Sequence, residues 1–311
     1  MDFFWKALGL ARRGYLIHLI TNGHNTRSWL TAGLTAVAGS LAGKRSVLTL
    51  GSGDMPAFVQ RQSWWRRQLL LSVLSGFRRV MVRNPLAFDT VQKLGVPERR
   101  LCIVPPYTGE VEAAGEEIPD RVQKFISAHR PVLVSAVAYR PEYGIDLSLE
   151  AIRTLLPKHP QLGLILLGPE SGGQSVQAEI DARGLTEQVL LAGALSHPAY
   201  LATVKQSTVF LRSTDFDGDA SSVREALALG VPAVVSRTEF RPEGSVLFDV
   251  GRLDDLTAKL EQVLAEPDRY GAEECLDDTV FERLGQILAV YRDVLLETGL
   301  SQEQLPELMQ S

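Results

Sequence analysis

A chain of 311 residues with 45% hydrophobic and 22% charged residues has room for two globular domains, each with its own core. Its two cysteines, Cys102 and Cys275, match no metal or redox spacing, which excludes a disulfide scaffold and a zinc module. Met1 to Pro105 carries 15 Lys and Arg against 4 Asp and Glu, a balance of +11, whereas the net charge of −5 leaves −16 for the remainder.

The N-terminal half alternates helix and strand. A short helix over about 2–12 leads to an apolar strand, Tyr15 to Ile20. This opening carries no secretory pattern, because Lys6 interrupts the apolar residues Phe3 to Trp5 at once and no small-residue cleavage site follows. Ser28 to Gly43 is uncharged and rich in Gly, Ala and Thr. It falls short of the roughly 20 apolar residues of a bilayer span and reads as a buried helix. A strand over Ser46 to Leu50, a helix around Gln62 to Gly76, a strand Arg79 to Val82, a helix Pro85 to Leu94 and a strand Leu101 to Val104 follow. Short apolar strands between helical patterns read as parallel βα units covered on both faces.

Pro105 and Pro106 break this pattern, and the acidic stretch Tyr107 to Pro119 reads as a linker between a domain over 1–118 and a second over 119–311. The second half restarts the alternation. Its strands are Val132 to Val137, Gly163 to Leu167, Val189 to Leu191, Val209 to Arg212 and Ala233 to Ser236. Helices near Asp146 to Leu156, Gln174 to Arg183, Pro198 to Gln206 and Ser222 to Leu229 complete a doubly wound α/β domain. A last helical region, about Asp278 to Glu297, is expected to pack back on the first domain.

The most informative stretch is VFLRSTDFDGDASSVREALALGVPAVVSR, Val209 to Arg237. A strand ends near Arg212, a loop of small residues follows from Asp217 to Ser222, and a helix starts with Glu225 in its first turn. A loop at the carboxyl end of a strand and the start of a helix offers unpaired N–H groups and a positive dipole end to an anion. Gly218 and Ala220 let a diphosphate approach, with Asp219, Ser221 and Ser222 beside it. Glu225 is placed to accept hydrogen bonds from ribose hydroxyls, and Asp217 to hold sugar hydroxyls. The plainer alternative is a helix cap from Ser221 or Ser222, with Glu225 closing a capping box.

DGDASSVREALALGVPAVVS resembles the carboxylate-x7-carboxylate motif of family 4 retaining glycosyltransferases, with Asp217 and Glu225 at the two acidic positions. RPEGSVLF beyond it, GALSHPAYLATVKQSTVFLRS before it and VLVSAVAYRPEYGIDLSLEAI further upstream match too, over most of residues 130–266. The N-terminal match is looser and rests on LTLGSGDMPAF and NPLAFDTVQKLGVPERRLCIVPP. The resemblance implies the GT-B fold, two Rossmann-like domains facing a cleft, and transfer with retention from a nucleoside-diphosphate sugar. It also implies that no metal and no cofactor is needed, so that dipoles and basic side chains stabilise the leaving diphosphate. The acceptor is expected to be a glycan or a lipid-linked glycan.

Three departures stand against the family pattern. Ala138 and Tyr143 occupy the positions where the family places Arg and Lys for the diphosphate; Arg140 between them is the candidate substitute, or else a surface partner of Glu142. Gly51, beside Ser52, stands where the family often has a donor-facing His, and His24 is the nearest candidate replacement. The first βαβ unit expected before Tyr15 is missing, so the first domain reads as abbreviated, with an inner strand Tyr15 to Ile20 whose open side invites self-association. Two other readings therefore stand beside a transferase: a donor-binding but catalytically weak homologue, and a sugar-nucleotide epimerase of the same fold. The stretch RQSWWRRQLLLSVLSGFRR, with Trp64, Trp65, Arg61, Arg66 and Arg67, suits a peripheral contact with the inner face of a membrane, or else a solvated face with one tryptophan in the core. No nucleic-acid module is recognisable, and reduced cysteines fit the cytoplasm.

Overall fold

The computed structural model describes residues 2–43, 46–105, 117–169, 171–271 and 279–300. Most of the linker expected over Tyr107 to Pro119, and Cys275, lie outside them. The described residues of Met1–Tyr107, Asp217–Asp219 and Asp278–Ser311 form one compact unit, and those of Thr108–Phe216 and Ala220–Asp277 a second.

The first unit is built on four parallel strands, β1 (Ile17–Thr21), β2 (Ser46–Leu50), β3 (Arg79–Val82) and β4 (Leu101–Ile103), in the order β1-β2-β3-β4. Period-two alternation sends Leu48 and Leu50 to one face, where they meet Trp29, Met55, Leu74 and Phe77. Val47, Met81 and Val104 point to the other face and pack on Val294 of the Thr279–Glu297 helix. His18 of β1 joins that contact through Tyr291 Oη at 2.5 Å and through Thr49 Oγ1 at 2.7 Å.

The strand expected inside the sheet is an edge: β1 pairs with β2 alone among the described residues, Ile20 is 62% exposed, and Tyr15 lies outside the strand. Its apolar composition reflects Leu19 packing into the core below it rather than a second strand on its open side. The helix expected around Gln62 to Gly76 is Trp64–Ser75, and a second helix, Met55–Gln60, precedes it across the turn at Arg61 to Ser63.

The helix expected to be buried, Thr26–Leu41, is buried along one side only. Its small residues face inward. A Cβ at Gly39 would stand 2.5 Å from Ser46 Oγ, and one at Gly76 would stand 2.5 Å from Ala36 Cβ. Close backbone packing therefore takes the small side, and Leu30, Leu34, Val37 and Leu41 are left exposed. Neither tryptophan of the pair Trp64 and Trp65 enters the core, at 76% and 55% exposed.

The second unit carries six parallel strands, β5 (Val132–Ala136), β6 (Gly163–Leu167), β7 (Val189–Gly193), β8 (Val209–Arg212), β9 (Ala233–Ser236) and β10 (Val246–Phe248). Their order is β10-β9-β8-β5-β6-β7. The chain runs outward from β5 to β7, returns to the other side of β5 as β8, and continues to β10. That order has one topological switch point, between β5 and β8, where ligands of doubly wound sheets bind. Both faces are covered, by Leu149, Ile152, Ile180 and Leu260 on one side and by Val204, Val223 and Ala226 on the other. Strand β10 and the helices Asp120–Ala128 and Leu253–Ala265 extend the unit beyond the elements expected from sequence.

Candidate functional site

Two loops leave the switch point of the second unit. The loop after β5 runs through Tyr139 and Arg140 into a short 3-10 turn, Pro141–Tyr143, and then Gly144. Gly144 has φ +60, and a Cβ there would stand 2.1 Å from Ser213 O, so only glycine fits. This contact seats the start of the Ile145–Leu155 helix against the end of β8. Ser213 Oγ donates to Tyr143 O and Gly144 O, each at 3.0 Å, and Asp215 N donates to Glu142 O at 2.9 Å. The two loops are thus one hydrogen-bonded assembly.

The loop after β8 ends at Ala220, the N-cap of the Ser221–Ala228 helix. The capping alternative is not realised. Ala220 offers no side-chain hydrogen bond, Ser221 and Ser222 are the first two helical residues, and Glu225 is the fifth rather than a first-turn residue. The first turn therefore presents N–H groups with no side-chain cap at the carboxyl end of the sheet. Asp217 Oδ1 accepts from Gly218 N at 3.1 Å, and Asp219 is buried.

Glu225 is only 7% exposed and takes a hydrogen bond from His197 Nε2 at 3.0 Å. His197 opens the helix that follows β7 and stacks on Tyr200 at 5.9 Å between ring centroids. Burial first, and then the charge of Glu225, push the Tyr200 phenol well above its ordinary range. Cations lie close by in the chain. Arg212 Nη1 donates to Ala136 O at 2.7 Å and its guanidinium lies 5.1 Å from the Tyr143 ring centroid. Arg241 donates to Thr214 Oγ1 at 2.9 Å and to Ser236 O at 2.8 Å. Arginines thus stand at the end of β8 and just beyond β9.

A family model described as glycosyl transferases group 1 matches residues 117–273, more than half of the chain. The chain belongs to this family. The glycosyltransferase also shares its fold with solved structures. HepE of Anabaena, crystallised with UDP, is 14% identical with a TM-score of 0.71, over 93% of this chain and 82% of that one. A UDP-forming α,α-trehalose-phosphate synthase from Burkholderia vietnamiensis is 13% identical with a TM-score of 0.69, over 96% and 76%. A sucrose-phosphate synthase from Thermosynechococcus elongatus is 17% identical with a TM-score of 0.65, over 95% and 74%. No curated relative matches the chain by sequence. The architecture, two parallel α/β units, is that of GT-B glycosyltransferases.

Of the residues singled out from sequence, Gly218, Asp219, Ala220, Ser221, Ser222 and Glu225 lie on the loop and helix just described. Arg140 is exposed, with Nη1 3.7 Å from Glu142 Oε1, so the surface pairing foreseen as its alternative role is formed. Gly51, Ser52 and His24 sit together at the carboxyl ends of β1 and β2 in the first unit. Gly51 N donates to Thr21 O at 2.9 Å and Ser52 N to Asn22 O at 3.1 Å. His24 Nδ1 is buried with no hydrogen-bond partner among the described residues. The sequence reading missed His197 and Tyr200, which no spacing connects to Glu225, and it missed Arg212 and Arg241. It also passed over the Gly168-Pro-x-Ser-Gly-Gly loop after β6, whose signal was present: an apolar strand followed by glycines opening a helix. Tyr139 packs on that loop, 3.1 Å from where a Cβ of Gly172 would lie.

Proposed function

We propose that this glycosyltransferase moves a sugar from a nucleoside-diphosphate sugar to a glycan or lipid-linked acceptor at the cytoplasmic face of a membrane, with retention and without a metal ion. The observation that carries the reading is the start of the Ser221–Ala228 helix at the switch point, which has no side-chain cap. On this reading the helix N–H groups take the diphosphate, Glu225 exchanges its His197 contact for the ribose hydroxyls, and Asp217 holds the donor sugar. Arg212 and Arg241, with Arg140, do the electrostatic work left open by Ala138 and Tyr143. His24, Gly51 and Ser52 are the candidates for contacts on the first unit. The UDP bound to HepE supports uracil as the first base to try.

Calorimetry against UDP-, GDP- and ADP-sugars tests the donor half, and the anomeric configuration of the product, read by NMR, tests retention. Binding of one nucleotide class in EDTA is the expected outcome. Binding that vanishes in EDTA and returns with Mn²⁺ would refute the metal-free reading. A second reading, a donor-binding homologue with little turnover, is favoured by the Arg140–Glu142 pair and by Ala138 and Tyr143. Donor binding together with turnover far below about 1 per second would select it.

A further inference from the structure

The helices Thr26–Leu41 and Trp64–Ser75 cover one face of the first sheet, yet their outer side is apolar. A surface helix normally turns charged residues to water. These two contain no Asp or Glu, and their only charges, Arg27, Arg66 and Arg67, lie in their first turns. Leu30, Leu34, Val37 and Leu41 form one exposed stripe at spacings of four, three and four, and Trp65 and Leu69 are exposed on the neighbouring helix. Between the helices runs a trough of about 1110 Å³, floored by Gly33, Ala36 and Val73. An exposed apolar surface of this kind marks a contact site.

At the far end of the trough lies a second, basic pocket of about 380 Å³, and Ser75 lines both. Arg78, Arg79, Arg99 and Arg100 surround it against one acid, Glu297. Glu297 accepts from Arg78 and Arg79, while Arg100 donates to Leu74 O and Ser75 O at 2.9 and 3.2 Å. Arg99 is exposed and has no ion pair among the described residues. Burial, then repulsion from Arg99, Arg79 and Arg78, lowers the pKa of Arg100, a sign that the cluster is short of negative charge.

We propose that this face docks the protein on an anionic phospholipid bilayer, with the Leu30–Leu41 stripe, Trp65 and Leu69 entering the acyl boundary and the arginines at both ends of the trough meeting lipid phosphates. Charge selects this occupant. Two copies of the face would bring arginines together with no acid on either helix to answer them, whereas an anionic leaflet complements both ends. No helix among the described residues is long and apolar enough to cross a membrane, so the contact lies in the interface. The proposal deepens the reading of a lipid-linked acceptor and rests on it for its purpose; vesicle binding is measured without donor, so the two fail separately.

The test is flotation of the full chain with vesicles of phosphatidylcholine alone or of equimolar phosphatidylcholine and phosphatidylglycerol. The protein is expected to float with the anionic vesicles only, less so in high salt, with a blue shift of tryptophan emission. Leu34→Ser with Leu69→Ser, both exposed positions, should abolish flotation while circular dichroism and nucleotide affinity stay unchanged. Arg66→Gln with Arg99→Gln should weaken partitioning by about fivefold per arginine, about 25-fold for the pair. The proposal is overturned if the wild type floats with neither vesicle, or with both equally. It is also overturned if light scattering shows a dimer that the Leu34→Ser, Leu69→Ser variant dissolves.

Discussion

Glu225 is held by the 3.0 Å hydrogen bond from His197 Nε2 in a nearly closed environment. Glutamine keeps an acceptor for His197 but loses the charge that ribose hydroxyls would meet. Glu225→Gln should therefore leave folding intact and weaken nucleotide binding by about 1–3 kcal/mol. Unchanged affinity in calorimetry would reduce Glu225 to an anchor for His197. Gly144 gives the opposite kind of prediction. Alanine there must adopt φ +60 and place its Cβ 2.1 Å from Ser213 O. Gly144→Ala should cost about 1–3 kcal/mol from backbone strain alone, with a further loss as the two loops part. A denaturant midpoint equal to the wild type would mean that the β5 and β8 loops are not coupled as the hydrogen bonds indicate.

At the scale of elements, the Thr279–Glu297 helix is tied to the first sheet through His18, Tyr291 and Thr49 as well as through Val294. A neutral imidazole can donate to one hydroxyl and accept from the other, and an imidazolium cannot accept. Burial, and then the nearby Arg83 guanidinium, lower the His18 pKa from 6.5 to about 4. The folded state thus resists a proton that the unfolded chain takes up, so this contribution is complete above pH 6.5 and is lost as pH falls toward about 4. Urea unfolding of the wild type at pH 7, 5.5 and 4, beside His18→Asn, checks the sign. Stability of the wild type should drop over that range and the variant should show a smaller drop. Parallel curves would remove His18 as the source.

For the molecule as a whole, the open side of β1 matters most. The strand pairs only with β2 among the described residues, and Ile20 leaves its side chain in water. An unpaired, apolar edge accepts strands from other chains. The protein is expected to self-associate, with a mass by light scattering that rises with concentration and falls in Ile20→Lys. A monodisperse monomer at every concentration would show that the edge is protected. This association is separable from the lipid-docking face, because Ile20 lies on β1 and the stripe on the helices beside it.

Local pattern alone was enough to place most strands and helices to within a residue or two, because hydrophobic period and the turn residues Gly and Pro act over short stretches. It also located the Asp217 to Glu225 segment at a strand end before a helix, since strand, small-residue loop and helix follow one another directly in the chain. Tertiary structure alone decided what depends on partners distant in sequence. The apolar β1 became an edge because strand order is set by pairing, and a strand's own composition reports coverage of its faces. Small residues of Thr26–Leu41 turned inward because Gly39 and Ala36 meet Ser46 and Gly76, so a helix that reads as buried shows its leucines to solvent. Glu225 met His197, 28 residues away, and Arg212 and Arg241 came near the sheet's carboxyl end only when β8 was laid beside β5 and β9 beside β8. Such neighbours are products of the sheet's winding order, and no spacing along the chain encodes them.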